Sequence, residues 1–121
     1  MSLLVRFASS ERGEAMTRAK EIKIPAITEK QFTQQVIQLL RLCGFNLVYH
    51  TWNSMHSERG FPDIFALRVR DKRLLFAELK SEKGKLTYEQ ARWSEALKAM
   101  GCEIYEWRPS DWDRIVEIIK A

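Results

Sequence analysis

The sequence predicts an α/β domain in which helices flank a mixed β-sheet. Segments with helical spacing of apolar residues alternate with short β-branched and aromatic runs, in the order helix, three strands, helix, strand, helix. A three-stranded meander followed by a helical crossover implies a mixed sheet with helices packed on its faces. The length of 121 residues suits a single domain with one core.

The composition excludes several classes of protein. Apolar residues make up 45% and charged residues 30% of the chain, as in soluble globular proteins. The longest unbroken apolar runs have four residues, so we expect no membrane span and no signal peptide. The two cysteines lack zinc-type spacing and are too few for a disulfide scaffold, which indicates a reduced, cytoplasmic protein. The net charge of +4 permits a polyanionic partner without requiring one.

Capping signals mark the beginnings of the helices. Thr28 and Gln31 fit a capping box at the start of an apolar-periodic segment that Gly44 ends. Thr87 and Gln90 form a second such box, and Gly101 ends that helix. A last helix follows Pro109-Ser110, and its predicted apolar face consists of Trp112, Ile115, Val116 and Ile119.

The strands lie between these helices. Leu47 to Trp52 reads as a strand, and Asn53 to Pro62 is a polar loop. Two apolar runs, 63–70 and 73–80, are separated by Asp71-Lys72 and predict an antiparallel hairpin. Glu103 to Trp107 is the fourth strand. Residues 1–26 form an N-terminal segment of uncertain structure, in which residues 14–23 suit a short helix.

Three charged residues share one face of the predicted hairpin at its open end. A loop symmetric about Asp71-Lys72 sets Asp63 opposite Lys80, with Glu78 on the same face. Buried charges require partners, which leaves two interpretations. Either Lys80 neutralises the two acids in a salt bridge, or the carboxylates and a backbone carbonyl bind Mg²⁺ or Mn²⁺ beside Lys80. Hairpin geometry alone leaves both open.

Several residues near this cluster also have two interpretations. Lys83 and Lys85 flank Gly84 in the following loop, where they are either solvated or suited to contact phosphate. Gln90 either caps its helix or directs its amide towards the open end of the sheet. Glu29 favours the dipole of the first helix, which by itself explains its position.

The combined motifs resemble a known nuclease family. Gly60-Phe61-Pro62-Asp63, then Glu78-Leu79-Lys80, then Gln90 on the next helix are similar to the virus-type replication-repair nuclease (VRR-NUC) domain of the PD-(D/E)xK superfamily. The resemblance covers residues 27–121 and leaves 1–26 outside. It implies a restriction-endonuclease-like α-β-β-β-α-β core with an added C-terminal helix.

The resemblance also implies roles for individual residues. Asp63, Glu78 and the backbone carbonyl of Leu79 would bind Mg²⁺ or Mn²⁺, and Lys80 would position or activate the attacking water. Glu29 matches an acidic residue that assists metal or water binding, and Gln90 matches a glutamine that orients the site.

The loop before Gly60 holds further candidates. Ser57 and Arg59 are possible DNA contacts, together with Lys83 and Lys85. His56 is either a surface histidine or a base near the site.

The function implied by the resemblance is a metal-dependent DNA endonuclease. Its substrate would be branched DNA such as a four-way junction, or duplex DNA, and it would act as a homodimer in a bacterial or phage-infected cell. The sequence has no glycine-rich phosphate loop, so we expect no nucleotide cofactor. Two alternatives remain: a catalytically silent nuclease fold that binds DNA or serves as a scaffold, and a structural module in which Lys80 merely satisfies the two acids.

Overall fold

The structure is a computed structural model that describes residues 26–51 and 58–121. All but the last residue of the N-terminal segment 1–26, with its predicted helix, lies outside these ranges. The predicted end of the first strand at Trp52 lies outside them as well.

The described residues form a four-stranded mixed sheet with three α-helices. The elements are α1 (Glu29–Leu42), β1 (Leu47–His50), β2 (Ile64–Arg68), β3 (Arg73–Leu79), α2 (Tyr88–Ala99), β4 (Glu103–Trp107) and α3 (Trp112–Lys120). The strand order is β1-β2-β3-β4, with β1, β2 and β3 antiparallel and β4 parallel to β3. The predicted mixed sheet with flanking helices and a C-terminal helix is therefore confirmed.

Both predicted capping boxes are present. Thr28 Oγ1 accepts from Gln31 N at 3.0 Å, and Gln31 Oε1 accepts from Thr28 N at 2.9 Å. Thr87 and Gln90 repeat this pair of bonds at the start of α2, at 3.1 and 2.9 Å. Each box satisfies backbone N–H groups that have no partner within the helix, so the local sequence determines where α1 and α2 begin.

The core lies between one face of the sheet and helices α1 and α3. Its buried members are Phe32, Val36, Leu40, Phe45, Ile64, Ala66, Leu75, Ala77, Leu79, Trp107, Ile115 and Ile119. The second face of the sheet is covered by α2, and this cover is less complete, since no residue of α2 is fully buried. On that side Leu47 and Tyr49 of β1 are both 58% exposed. Within the described ranges, no helix is long and apolar enough to cross a membrane.

The predicted register of the hairpin is wrong by two residues. Arg68 pairs with Arg73 and Phe65 with Phe76, so the loop contains the four residues 69–72. A 3₁₀ turn at Val69–Asp71 is followed by Lys72 in the left-handed conformation, φ 56°, which closes this longer loop. A shift of two residues preserves the alternation of side chains, so Asp63 and Glu78 still belong to the same face.

A buried arginine anchors the loop end of the hairpin. Arg68 is 2% exposed, and its guanidinium donates to both carboxylate oxygens of Asp71 at 3.0 and 2.9 Å. Its Nη1 also donates to the carbonyl oxygens of Cys43 and Ile119, which lie at the C-terminal ends of α1 and α3. Carbonyls at helix ends lack partners within the helix, so this arginine satisfies groups from two helices at once.

Candidate active site

Two acidic side chains meet at the open end of the hairpin. Continuing the observed register by one pair sets Asp63, just before β2, level with Glu78 of β3. Asp63 Oδ2 accepts from the backbone N–H of Leu79 at 2.8 Å, and its carbonyl accepts from Thr51 N at 3.0 Å. These bonds hold Asp63 to both neighbouring strands, while Glu78 is only 5% exposed.

The environment of Glu78 disfavours its charge. Burial, and then the charge and hydrogen bond of Asp63, raise the pKa of Glu78 to about 9, and Glu29 adds to the increase. The charge of Lys80 acts in the opposite direction. Without a cation, Glu78 therefore keeps its proton at neutral pH. Two carboxyl groups held this close are a site where a divalent cation would relieve the repulsion.

Gln90 fulfils both of its possible roles. Its Oε1 accepts from Thr87 N at 2.9 Å and completes the capping box of α2. Its Nε2 donates to Glu78 Oε1 at 2.8 Å. Because the same amide is held from both ends, the start of α2 determines the orientation of the Glu78 carboxyl group.

Lys80 does not form the salt bridge that was one of the two interpretations of the cluster. Among the ion pairs of the described residues, none joins Lys80 to Asp63 or Glu78 within 4.0 Å. Its backbone N–H donates to Trp107 O at 2.9 Å, which fixes the end of β3 against β4. The charge of Lys80 acts on Glu78 without a contact at ion-pair distance, in contrast to the structural interpretation.

The donor set fits a hard divalent cation that keeps part of its water shell. Asp63 and Glu78 are carboxylate donors, and the carbonyl of Leu79 is the predicted third oxygen. Across residues 26–51 and 58–121, no three His, Cys, Asp or Glu side chains gather into a metal-binding group. Glu29 is exposed at the start of α1 and acts on Glu78 only through its charge. Mg²⁺ and Mn²⁺ tolerate such a small set of protein ligands.

Three of the four predicted nucleic-acid contacts lie on the described surface of the protein. Lys83 and Lys85 are exposed in the loop that follows β3. Arg59 has an 85% exposed side chain and lies 3.8 Å from Glu89 Oε1, a surface ion pair that stabilises the protein little. Ser57 and His56 lie outside the described residues.

Sequence reasoning missed the arginine that holds the loop after β3. Arg108 Nη1 donates to Ser81 O at 2.6 Å and also to Gly84 O, while Nη2 donates to Glu106 Oε2 at 2.7 Å. Glu82 binds Ser110 N and Oγ in addition. Apart from the bond to Glu106, these hydrogen bonds join residues 24 to 28 positions apart in the chain, so no local pattern indicates them.

The chain is similar to one protein family and to two solved structures. The family model of the VRR-NUC domain matches residues 17–110. The solved structure of a VRR_NUC domain protein aligns with a TM-score of 0.57 at 16% identity, over 79% of this chain and 88% of that chain. Hjc, a Holliday junction resolvase from the archaeal hyperthermophile Archaeoglobus fulgidus, aligns with a TM-score of 0.47 at 22% identity, over 65% and 67% of the chains. No curated protein matched the sequence.

Proposed function

The chain belongs to the VRR-NUC domain family, as its motifs predicted, and on that premise we propose that it is a metal-dependent DNA endonuclease. The proposal depends most on one observation: Asp63 and Glu78 lie together at the end of the sheet, and the charge of Lys80 acts on Glu78 without forming an ion pair. An acid pair in which Glu78 is buried and no side chain forms an ion pair with either acid is unfavourable for folding alone and favourable for binding a cation.

The roles of the side chains follow from their positions. Asp63, Glu78 and the Leu79 carbonyl would hold Mg²⁺ or Mn²⁺. The bound cation would supply Lewis-acid chemistry that neutralises charge on the scissile phosphate. Lys80 would hold the attacking water and stabilise the charge that develops on the phosphate.

Two further residues would support this group. Gln90 keeps Glu78 in a single orientation through the 2.8 Å hydrogen bond. Glu29 would add negative charge at the start of α1, which favours a cation at the site.

The substrate of the proposed enzyme is DNA, bound along the side of the site that carries Lys83 and Lys85. Both lysines are exposed in a loop that Arg108 holds in place, so they can contact the phosphate backbone at a fixed distance from Lys80. We propose branched DNA as the preferred substrate. Symmetric cuts in two strands require two sites, and a homodimer would supply them.

The proposal is tested by a gel cleavage assay on four-way junction, flap, duplex and single-stranded DNA with Mg²⁺ or Mn²⁺. We expect metal-dependent cleavage, with the junction cut fastest. Asp63→Asn and Lys80→Ala should abolish cleavage and leave the fold intact, whereas Asp113→Asn on the exposed surface of α3 should cleave like the wild type.

Each other result has a defined meaning. Equal cleavage of all substrates would keep the nuclease and remove the preference for branches. Salt-dependent DNA binding without cleavage under either metal would indicate the silent DNA-binding module. Unfolding of Lys80→Ala would indicate the structural module, because the two carboxyl groups would then have lost a positive charge that they needed.

A further inference from the structure

The loop that leads into Asp63 approaches α2 unusually closely. In the turn from Glu58 to Phe61, Phe61 N donates to Glu58 O at 3.2 Å, and Gly60 has φ +86°. A Cβ atom on Gly60 would lie 2.5 Å from the carbonyl carbon and 2.6 Å from the carbonyl oxygen of Glu89. These are backbone atoms in the first turn of α2, and they cannot move without the helix. Only glycine permits this contact.

Aromatic contacts continue the packing on both sides of the turn. Trp93 Nε1 donates to Arg59 O at 3.2 Å, and its ring meets Phe61 edge to face, with the centroids 5.2 Å apart. Phe61 in turn meets Phe76 of β3 with the centroids 6.1 Å apart. The turn is therefore wedged between α2 and the second face of the sheet, and it determines the distance between them.

Gln90 is the residue that this distance affects. It follows Glu89 in the same helical turn, and its Nε2 lies 2.8 Å from Glu78 Oε1. To restore ordinary contact with a Cβ on Gly60, the Glu89 carbonyl would have to retreat by about 1 Å. A displacement of that size takes a hydrogen bond of 2.8 Å beyond its effective range.

We infer that Gly60 is a positioning residue of the site: by its lack of a side chain it seats α2 so that Gln90 reaches Glu78. Its effect on catalysis rests on the proposed nuclease function, whereas its effect on Gln90 does not. Gly60 belongs to the same sequence motif as Asp63. Whereas Asp63 faces Glu78 directly, Gly60 affects Glu78 through α2 and Gln90.

Gly101 provides a matched control. It has φ +82°, almost the same backbone conformation as Gly60, yet a Cβ there would meet nothing within 4 Å. Gly60→Ala and Gly101→Ala therefore introduce similar backbone strain, and only the first pushes on α2. We expect Gly60→Ala to lower kcat by about 10²-fold with KM for DNA nearly unchanged. Gly101→Ala should stay within about twofold of the wild type.

A double-mutant cycle separates action through Gln90 from a general loss of stability. Gln90→Ala alone should lower kcat, and Gly60→Ala in that background should lower it no further, because the contact is already lost. The inference would be overturned if the fold-losses in kcat of Gly60→Ala and Gln90→Ala multiply in the double variant. It would also be overturned if Gly60→Ala and Gly101→Ala lower kcat equally.

A spectroscopic measurement keeps the test independent of nuclease activity. The side-chain amide signals of Gln90 in a ¹H–¹⁵N spectrum are assigned by their disappearance in Gln90→Ala. We expect them to move towards free-glutamine positions in Gly60→Ala and to stay in place in Gly101→Ala. Unmoved signals in Gly60→Ala would overturn the inference even if the protein cleaves no DNA.

A gentler variant serves if Gly60→Ala does not fold. Trp93→Phe removes the hydrogen bond to the Arg59 carbonyl and keeps an aromatic ring beside Phe61. We expect a smaller displacement of the Gln90 signals in the same direction. Gln90 signals identical to those of the wild type in this variant would contradict the claim that the turn from Glu58 to Phe61 determines the position of α2.

Discussion

The chemistry of Glu78 is determined by its immediate neighbours. The side chain is almost fully buried, it faces Asp63, and it accepts a hydrogen bond from Gln90. Burial, followed by Asp63, raises its pKa to about 9. In the metal-free protein this acid is therefore neutral at pH 7, and binding a cation requires that it lose a proton.

This proton makes the stability of the metal-free protein depend on pH. The pKa of Glu78 rises from 4.5 to about 9 on folding, so between these pH values the native state binds a proton that the unfolded state has lost. Stability therefore falls as pH rises through this range. Glu78→Gln removes the effect, and we expect a gain of about 1–3 kcal/mol in the free energy of unfolding at pH 8 in EDTA.

Urea denaturation at pH 5 and pH 8 measures this prediction, with Glu95→Gln on the exposed side of α2 as the control. The advantage of Glu78→Gln over the wild type should grow with pH, and the control should show no such trend. If the difference in unfolding free energy between Glu78→Gln and the wild type is the same at pH 5 and pH 8, folding does not raise the pKa of Glu78.

At the scale of single residues, local motifs predicted which acids lie together but not what surrounds them. Asp63 and Glu78 are found on one face because side chains alternate along a strand. The contact of Gly60 with Glu89 and the hydrogen bonds of Arg68 to the carbonyls of Cys43 and Ile119 depend on distant parts of the chain. No spacing along the sequence contains that information.

Among the elements, helices were easier to predict than the hairpin. The beginnings of α1 and α2 depend on capping boxes that span four residues each. The hairpin register depends instead on the loop 69–72. Its left-handed residue is Lys72, where glycine or asparagine would be usual, and its Asp71 is held by the buried Arg68. Lysine gives no turn signal, so the pairing was predicted two residues away from the observed register.

The loop between β3 and α2 is held by hydrogen bonds to residues that follow β4, chiefly those of Arg108. Arg108 holds the carbonyls of Ser81 and Gly84. We expect Arg108→Met to lower the free energy of unfolding by about 1–3 kcal/mol, because hydrogen bonds to a charged group are lost. It should also raise KM for DNA, since the loop carries Lys83 and Lys85.

Urea denaturation and cleavage kinetics measure these two effects. Arg114→Met, at an exposed position of α3, is the matched control. Unchanged stability in Arg108→Met would show that the loop is held by other contacts, such as the bonds between Glu82 and Ser110.

In the molecule as a whole, the two faces of the sheet differ. One face is sealed by α1 and α3, whereas the other is covered only partly, and Leu47 and Tyr49 remain largely exposed there. The candidate site residues Asp63, Glu78 and Lys80 lie at one end of this sheet, so residues 26–51 and 58–121 of each chain provide a single candidate site. The order of elements was predictable from the sequence because each element carries its own pattern, whereas assembly beyond one chain has no such local signal.

The proposed paired cleavage of a junction predicts a homodimer. Sedimentation equilibrium should give about twice the chain mass of 14.3 kDa at micromolar concentration. A mixture of wild-type and Asp63→Asn chains should then nick junctions in one strand more often than it cuts both. A monomeric mass together with paired cuts would contradict the proposed arrangement.

The central claim, that Asp63 and Glu78 bind a divalent cation, is tested most directly by calorimetric titration with Mn²⁺. The titration is done at pH 7 in two buffers with different ionisation enthalpies. We predict one cation per chain with release of nearly one proton, because the pKa of Glu78 is about 9 without metal. Asp63→Asn should lose the binding. Absence of Mn²⁺ binding, or binding that Asp63→Asn leaves unchanged, would contradict the claim.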